Sequence, residues 1–160
     1  MKRSRYSTEA FSLVEVALAL GIAAFCFVCI LALLGAGLTT SQSSSTQTVA
    51  ANLMTAIASD LRSTPNPVPA GGTSTNSLIY GIAVPATGGS TTSQTFYIAE
   101  NGQTNGTAAG ARYQLNTWSI PATTTRQETV VRLFLTWPAQ APYTNAAGSM
   151  EAVVAMNRAP

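Results

Sequence analysis

The hydrophobic pattern is dominated by one uninterrupted apolar run close to the amino terminus. The 19 residues from Val16 to Leu34 contain no charged and no strongly polar side chain. At about 1.5 Å per helical residue the run spans roughly 28 Å, which is close to the thickness of the hydrocarbon core of a bilayer. A helix that is apolar on every side is poorly suited to the core of so small a protein. The pattern therefore predicts a membrane-spanning helix.

A second pattern follows this run and indicates that the helix continues. Apolar residues recur every fourth position, at Val49, Leu53, Ile57 and Leu61, which is typical of one face of an amphipathic helix. The proline- and glycine-rich residues 65–72 then stop it. We predict one long helix from about Phe11 to Arg62, with residues 11–38 as a transmembrane segment and residues 39–63 as its amphipathic continuation.

The remaining chain, residues 64–160, has strand-like segments separated by turn-rich stretches. The segments are 78–84, 95–99, 111–120, 128–137 and 150–156. The clearest is 128–137, where Val131, Leu133, Leu135 and Trp137 alternate with residues that include Arg132 and Thr136. Strands that all follow one helix favour an antiparallel sheet packed on that helix. The predicted fold class is α+β, with a long N-terminal helix and four or five strands.

Charge is scarce, and this excludes several classes of function. The chain has 8 Lys and Arg, 6 Asp and Glu and no His, and charged residues make up 9% of it, against about 25% in an average soluble protein. Without His there is no Ser-His-Asp triad and no His-bound zinc or haem. A net charge of +2 is too small for a phosphate-binding surface, so we expect no nucleic-acid partner. We predict no catalytic, cofactor-binding or metal-binding residue, and no enzyme activity.

Two groups of side chains could carry chemistry but have simpler interpretations. Cys26 and Cys29 form a C-x-x-C spacing, but they lie inside the apolar run, where a thiol behaves as a small hydrophobic group. Four aromatic residues could form a ligand-binding patch, but core packing is favoured for the two Trp among them. These aromatic residues are Tyr113, Trp118, Trp137 and Tyr143.

The residues around the apolar run predict its orientation and leave three interpretations. Lys2, Arg3 and Arg5 precede the run and no basic cluster follows it, which favours a cytoplasmic amino terminus and an extracytoplasmic C-terminal domain on the inner (cytoplasmic) membrane. The segment could be a signal peptide cut near residues 35–37, a plain anchor, or a helix in which Glu15 awaits a cation from another chain. A carboxylate near the membrane edge costs a few kcal/mol unless it is paired or solvated.

Residues 10–16, Ala-Phe-Ser-Leu-Val-Glu-Val, resemble the processing motif of type IV prepilins and pseudopilins. That motif has a small residue, usually Gly, followed by Phe-Thr-Leu-Ile-Glu and an apolar helix. The resemblance implies a leader of residues 1–10, cleavage by a prepilin peptidase between Ala10 and Phe11, and N-methylation of Phe11. Glu15 matches the family's acid, which neutralises the amine of a neighbouring subunit during assembly. Ala10 departs from the preferred Gly.

The resemblance also implies a function and partners. It predicts a minor pilin or pseudopilin, a structural subunit of a type IV pilus-like or type II secretion-like filament. The partners implied are the prepilin peptidase, the inner membrane and other pilin-like subunits, which the N-terminal helix would contact. Residues 11–38 would then be a filament-core helix after assembly. The length and layout are similar to the pilin-like cassette protein B family of Verrucomicrobia. The alternative is a single-pass, membrane-anchored extracytoplasmic binding module.

Overall fold

The computed structural model describes residues 12–65, 74–123, 125 and 127–157. In this part of the chain one helix precedes seven strands and a short 3-10 helix. The elements are α1 (Leu13–Ser63), β1 (Ser74–Asn76), β2 (Ala83–Pro85), β3 (Thr92–Ile98), β4 (Thr104–Asn105), β5 (Tyr113–Ile120), β6 (Glu128–Trp137), the 3-10 helix (Tyr143–Asn145) and β7 (Gly148–Asn157). All strand pairs are antiparallel, in a five-stranded sheet of order β4-β3-β5-β6-β7 and a separate β1-β2 pair. The predicted α+β class is confirmed.

The chain divides into two compact units, residues 1–46 and residues 47–160. The described part of the first unit is α-helical from Leu13 onward, without a break at Gly21, Gly35 or Gly37. Glycine costs a helix interior about 1 kcal/mol relative to alanine. The helix therefore tolerates all three.

In the second unit, the last four turns of α1 form one side of the hydrophobic core. The residues that α1 buries here include Ala50, Leu53, Met54, Ile57 and Leu61, while Val49 and Ala58 pack at the margin. Leu53, Ile57 and Leu61 are positions of the four-residue repeat, and Val49, its first member, lies at the margin of the core. The buried face of this part of the helix is therefore the one that the repeat indicates.

The sheet supplies the other side of this core through alternation of buried and more exposed residues along its central strands. Val131, Leu133 and Leu135 of β6 are fully buried, while Arg132 between them is exposed. In the register of the sheet, Leu115 of β5 lies directly opposite Leu135. At the end of β6 the Trp137 ring packs edge-on against the buried Tyr113 ring, with centroids 6.2 Å apart. The predicted facing of Val131, Leu133 and Leu135 is confirmed, whereas Thr136, which was predicted on the opposite side with Arg132, is also fully buried.

The strand predicted for residues 78–84 is wrong over most of its length. Residues 78–80 form a turn, and only Ala83–Pro85 are extended and pair with β1, which the sequence analysis missed. The reason is an acid in the last turns of α1. The Asp60 carboxylate accepts hydrogen bonds from the N–H groups of Ile79 and Tyr80, each at 3.1 Å. The backbone groups that a strand would offer to a neighbouring strand are thus satisfied by the helix.

Elsewhere the sequence located the strands but not all of their ends. The segments predicted at 95–99 and 150–156 are the strands Thr92–Ile98 and Gly148–Asn157. The two-residue strand Thr104–Asn105 was not predicted. Strand ends depend on where the partner strand stops, and that information is not local.

Burial of Tyr80 beside Asp60 predicts a loss of stability at alkaline pH. The pKa of Tyr80 lies above its ordinary value of 10.0, mainly because burial disfavours the phenolate and secondly because of the negative charge of Asp60. Burial also raises the pKa of Tyr113, as the largest of several effects. Since the folded state holds these protons to higher pH than the unfolded state, their contribution to stability is complete below about pH 10 and is lost as the pH rises through the folded-state values.

We therefore expect the urea midpoint of the full chain to fall as the pH rises above about 10. Tyr80→Phe should make this fall shallower, and the double variant with Tyr113→Phe should make it shallower still. Each variant serves as its own control below about pH 9, where its midpoint should not depend on the ionisation of tyrosine. Equal slopes for wild type and the double variant would show that neither phenol is responsible.

Candidate functional site

The predicted processing site and the predicted assembly residue lie on either side of the point where the described chain begins. Ala10 and Phe11 fall outside the described residues. Glu15 is exposed in the first turn of α1. The Ser12 carbonyl accepts hydrogen bonds from the N–H groups of Glu15 at 3.0 Å and Val16 at 3.2 Å, which makes Ser12 the N-cap residue and Glu15 the third helical residue.

The position of Glu15 in the sequence suits a local role besides the one implied by the pilin resemblance. Ser12-x-x-Glu15 has the spacing of a capping box, and an acid in the first turn is favourable with respect to the helix dipole. Glutamine also serves in a capping box, but it carries no charge. A glutamine substitution therefore separates capping of the helix from pairing with a cation.

The first unit presents an apolar surface that its own residues do not cover. Every side chain from residue 12 to residue 45 is exposed, and the large apolar ones are 48–86% exposed. The helix is long and apolar enough to cross a membrane. At about 1.5–3 kcal/mol per large apolar side chain, exposure of this surface to water would cost tens of kcal/mol. Lipid or other protein must cover it.

A second candidate site lies in the second unit, on the face of the sheet that is turned away from the core. Gln114, Asn116 and Trp118 of β5 point to this outer face, because they alternate with the buried residues of that strand. Arg132 and Phe134 of β6 join them. Tyr143, from the 3-10 helix between β6 and β7, completes the lining of a cavity of about 490 Å³. We call this the outer-face cavity.

Hydrogen bonds hold two of the polar groups of the outer-face cavity in place. The Thr95 hydroxyl donates to Asn116 Oδ1 at 2.8 Å, so the Asn116 amide nitrogen remains as a donor. Arg132 Nε donates to a carboxylate oxygen of Glu151 on β7. This bond lowers the pKa of Glu151 and raises that of Arg132. The pair stays ionised at neutral pH, and its charges cancel.

The four aromatic residues considered as a possible ligand patch lie in two different places in the structure. Trp118 and Tyr143 line the outer-face cavity and are 40% and 69% exposed. Tyr113 and Trp137 pack on the core instead. The expectation of core packing is therefore right for Trp137 and wrong for Trp118, because Trp118 has the opposite parity to the buried residues of β5.

Phe134, Gln114 and Asn116 were not singled out by the sequence analysis. The available signal was an aromatic residue on the polar side of β6, since Phe134 falls between Arg132 and Thr136. Across residues 12–65, 74–123, 125 and 127–157, no group of three or more His, Cys, Asp or Glu side chains is close enough to hold a metal ion. Cys26 and Cys29 are free thiols in the exposed apolar part of α1.

Comparison with known proteins gives no significant match: no family model, no curated protein and no solved structure is similar to this chain at a significant level. The architecture is pilin-like, with a long apolar N-terminal helix and an antiparallel sheet that packs on the helix within the second unit.

Proposed function

We propose that this chain is a minor pilin or pseudopilin, a structural subunit of a type IV pilus-like or type II secretion-like filament. One observation carries the proposal. A single helix, Leu13–Ser63, is predominantly apolar up to Leu38 and exposed at every position up to residue 45, and from Ala50 onward it forms part of the core of an α+β domain. The same helix thus carries an apolar surface that lipid or protein must cover and, further along the chain, part of the core of a folded domain.

The exposed half of the helix has two possible covers, and a filament subunit would use both in turn. A bilayer accepts about 20 apolar helical residues, and this segment is long enough to span it. In a filament, the same surface would be buried by the helices of neighbouring subunits. A simple anchor would need only the bilayer.

Processing and assembly would then depend on the residues that resemble the prepilin motif. A prepilin peptidase would cut between Ala10 and Phe11 and methylate the new amino terminus. Glu15, exposed in the first turn of α1, would pair with that amine on a neighbouring subunit. An ion pair in apolar surroundings is favourable only when both partners are present, because an unpaired buried charge costs several kcal/mol. The pair would therefore select one register between subunits.

The amino terminus of the native protein tests the proposal directly. We expect the intact mass and terminal sequence of the membrane-extracted protein to show a chain that starts at N-methylated Phe11. A start at Met1 would contradict processing and favour the membrane-anchored binding module. A start near Leu38 would identify a signal peptide and remove Glu15 from the mature protein.

Substitution of Glu15 tests the assembly role. We expect Glu15→Ala and Glu15→Gln to insert into the membrane at wild-type levels but to lose at least about 90% of incorporation into filaments, since an unpaired buried amine costs several kcal/mol. The measurement is the ratio of filament-associated to membrane-associated protein. Glu128→Gln, an exposed acid of β6, is the matched control and should assemble normally. Normal assembly of Glu15→Gln would show that Glu15 only caps the helix.

A further inference from the structure

We propose that the outer-face cavity is a binding site for a neutral carbohydrate. The cavity combines three aromatic side chains, Trp118, Phe134 and Tyr143, with planar polar groups from Gln114, Asn116 and Arg132. Its volume of about 490 Å³ lies within the roughly 300–1,000 Å³ of small-molecule sites. The inference does not depend on the proposed filament role, since an anchored protein would carry the same cavity.

The aromatic residues provide the apolar part of the site. A pyranose ring has two faces of C–H groups and a rim of hydroxyls. An exposed aromatic ring can therefore cover one face while the hydroxyls at the rim stay free to form hydrogen bonds. Trp118 lies opposite Arg132 in the sheet and Phe134 lies opposite Asn116, so the two aromatic residues are diagonal neighbours. Such neighbours are about 7–8 Å apart on a sheet. Tyr143 reaches them from the loop after β6.

The polar residues provide the hydroxyl-binding part. Carboxamide and guanidinium groups are planar and offer two or more hydrogen-bonding positions side by side, which suits adjacent hydroxyls on a sugar ring. Asn116 and Arg132 are held by Thr95 and Glu151 respectively. Because these groups are oriented before the ligand arrives, binding costs less side-chain entropy.

The charge and size of the cavity argue against other occupants. Among the described residues that line it, Arg132 is the one cation, and its charge is cancelled by Glu151, so a phosphate-rich or acidic ligand gains little there. A standard protein interface uses about 20–30 residues from each side, whereas six of the residues that the structure describes line this cavity. A neutral ligand that is rich in hydroxyl groups fits both observations.

Calorimetric titration of the full chain in lipid nanodiscs tests the proposal. Nanodiscs without glycolipid are needed because sugar-headed detergents would compete for the site. The probes are the neutral hexasaccharides of β-1,4-linked glucose, xylose, mannose and N-acetylglucosamine, with hexagalacturonate as the acidic comparison. We expect saturable binding of at least one neutral probe, and at least tenfold weaker binding by Trp118→Ala, which corresponds to about 1.4 kcal/mol.

Two further variants keep this test decisive. Val153→Ala is the matched control, because Val153 is 59% exposed on the same face and lies opposite Arg132 but does not line the cavity. It should bind like wild type. Tyr143→Ala alters the 3-10 helix rather than the sheet, and it should also lose binding even if Trp118→Ala fails to fold.

Several results would overturn the carbohydrate proposal. They are the absence of saturable binding to every neutral probe, tighter binding of hexagalacturonate, or equal affinity in wild type and Tyr143→Ala. Self-association of the wild type that Trp118→Ala abolishes, without sugar binding, would assign the cavity to a second copy of the chain. None of these results bears on whether Phe11 is the mature terminus, so the two proposals fail separately.

Discussion

Replacement of Asp60 by alanine is expected to lower the free energy of unfolding by about 2–5 kcal/mol, because two backbone donors lose a charged acceptor. The Asp60 side chain is 3% exposed, and its two oxygens accept hydrogen bonds from Ile79 and Tyr80. An acid in the last turns of a helix is unfavourable with respect to the helix dipole. Its presence here is explained by the turn it holds against α1 rather than by the helix.

Urea unfolding of the full chain in micelles, followed by tryptophan fluorescence, would measure this loss of stability. Two further variants define its origin. Asp60→Asn keeps one acceptor oxygen but sets an amide donor against the second N–H, so it should fall between wild type and Asp60→Ala. Glu128→Ala removes an exposed carboxylate and should change stability by less than about 0.5 kcal/mol. A loss below 1 kcal/mol for Asp60→Ala would mean that water replaces the carboxylate and that the turn is not held by the helix.

The second large effect is expected at Gly148, the first residue of β7. It lies opposite Trp137 in the sheet, and a Cβ built on Gly148 would overlap the Trp137 ring, coming within 2.7 Å of Nε1. Alanine at this position would push the ring away from Tyr113, with which it makes an edge-on contact. Overpacking costs typically 1–3 kcal/mol and an aromatic pair contributes about 0.5–1.5 kcal/mol. We therefore expect Gly148→Ala to lower stability by roughly 2–4 kcal/mol.

Gly106→Ala is the matched control, because its added Cβ meets nothing within 4 Å. It should leave the urea midpoint unchanged or slightly raised, since alanine reduces the entropy of the unfolded chain. The emission spectrum of Gly148→Ala should shift to the red as Trp137 becomes more exposed. An unchanged midpoint and an unchanged spectrum in Gly148→Ala would show that the backbone of β7 moves aside without cost.

Periodic patterns were sufficient to predict most of the fold. The repeat at Val49, Leu53, Ile57 and Leu61 identified the buried face of α1, and alternation along β6 identified which residues face the core. Both patterns are local, since the geometry of a helix or strand assigns each residue to a face without knowledge of the partner. The local rule failed at residues 78–84, where a strand was predicted but residues 78–80 form a turn. The turn is held by hydrogen bonds from its N–H groups to Asp60, which is distant in sequence.

The two candidate sites also differ in whether they can be recognised from the local sequence. The motif around Ala10, Phe11 and Glu15 is contiguous, so the sequence alone was enough to predict processing and an assembly residue. The outer-face cavity is assembled from two paired strands and from the loop that carries Tyr143. Trp118 looked like a core residue because large aromatic side chains are usually buried, although alternation along β5 places it on the opposite face from Tyr113 and Leu115. Strand register and the path of the loop decide which residues meet Trp118 on that face.

The amino-acid sequence by itself determined the membrane-length helix, its amphipathic continuation and the inward face of the sheet, because each follows from the spacing of apolar residues along one element. Only the tertiary structure decided that Asp60 holds the turn at Ile79 and Tyr80, that Trp137 covers Gly148, and that Trp118, Phe134 and Tyr143 share one cavity. These arrangements depend on strand order, register and loop path, which are set by the packing of the whole domain.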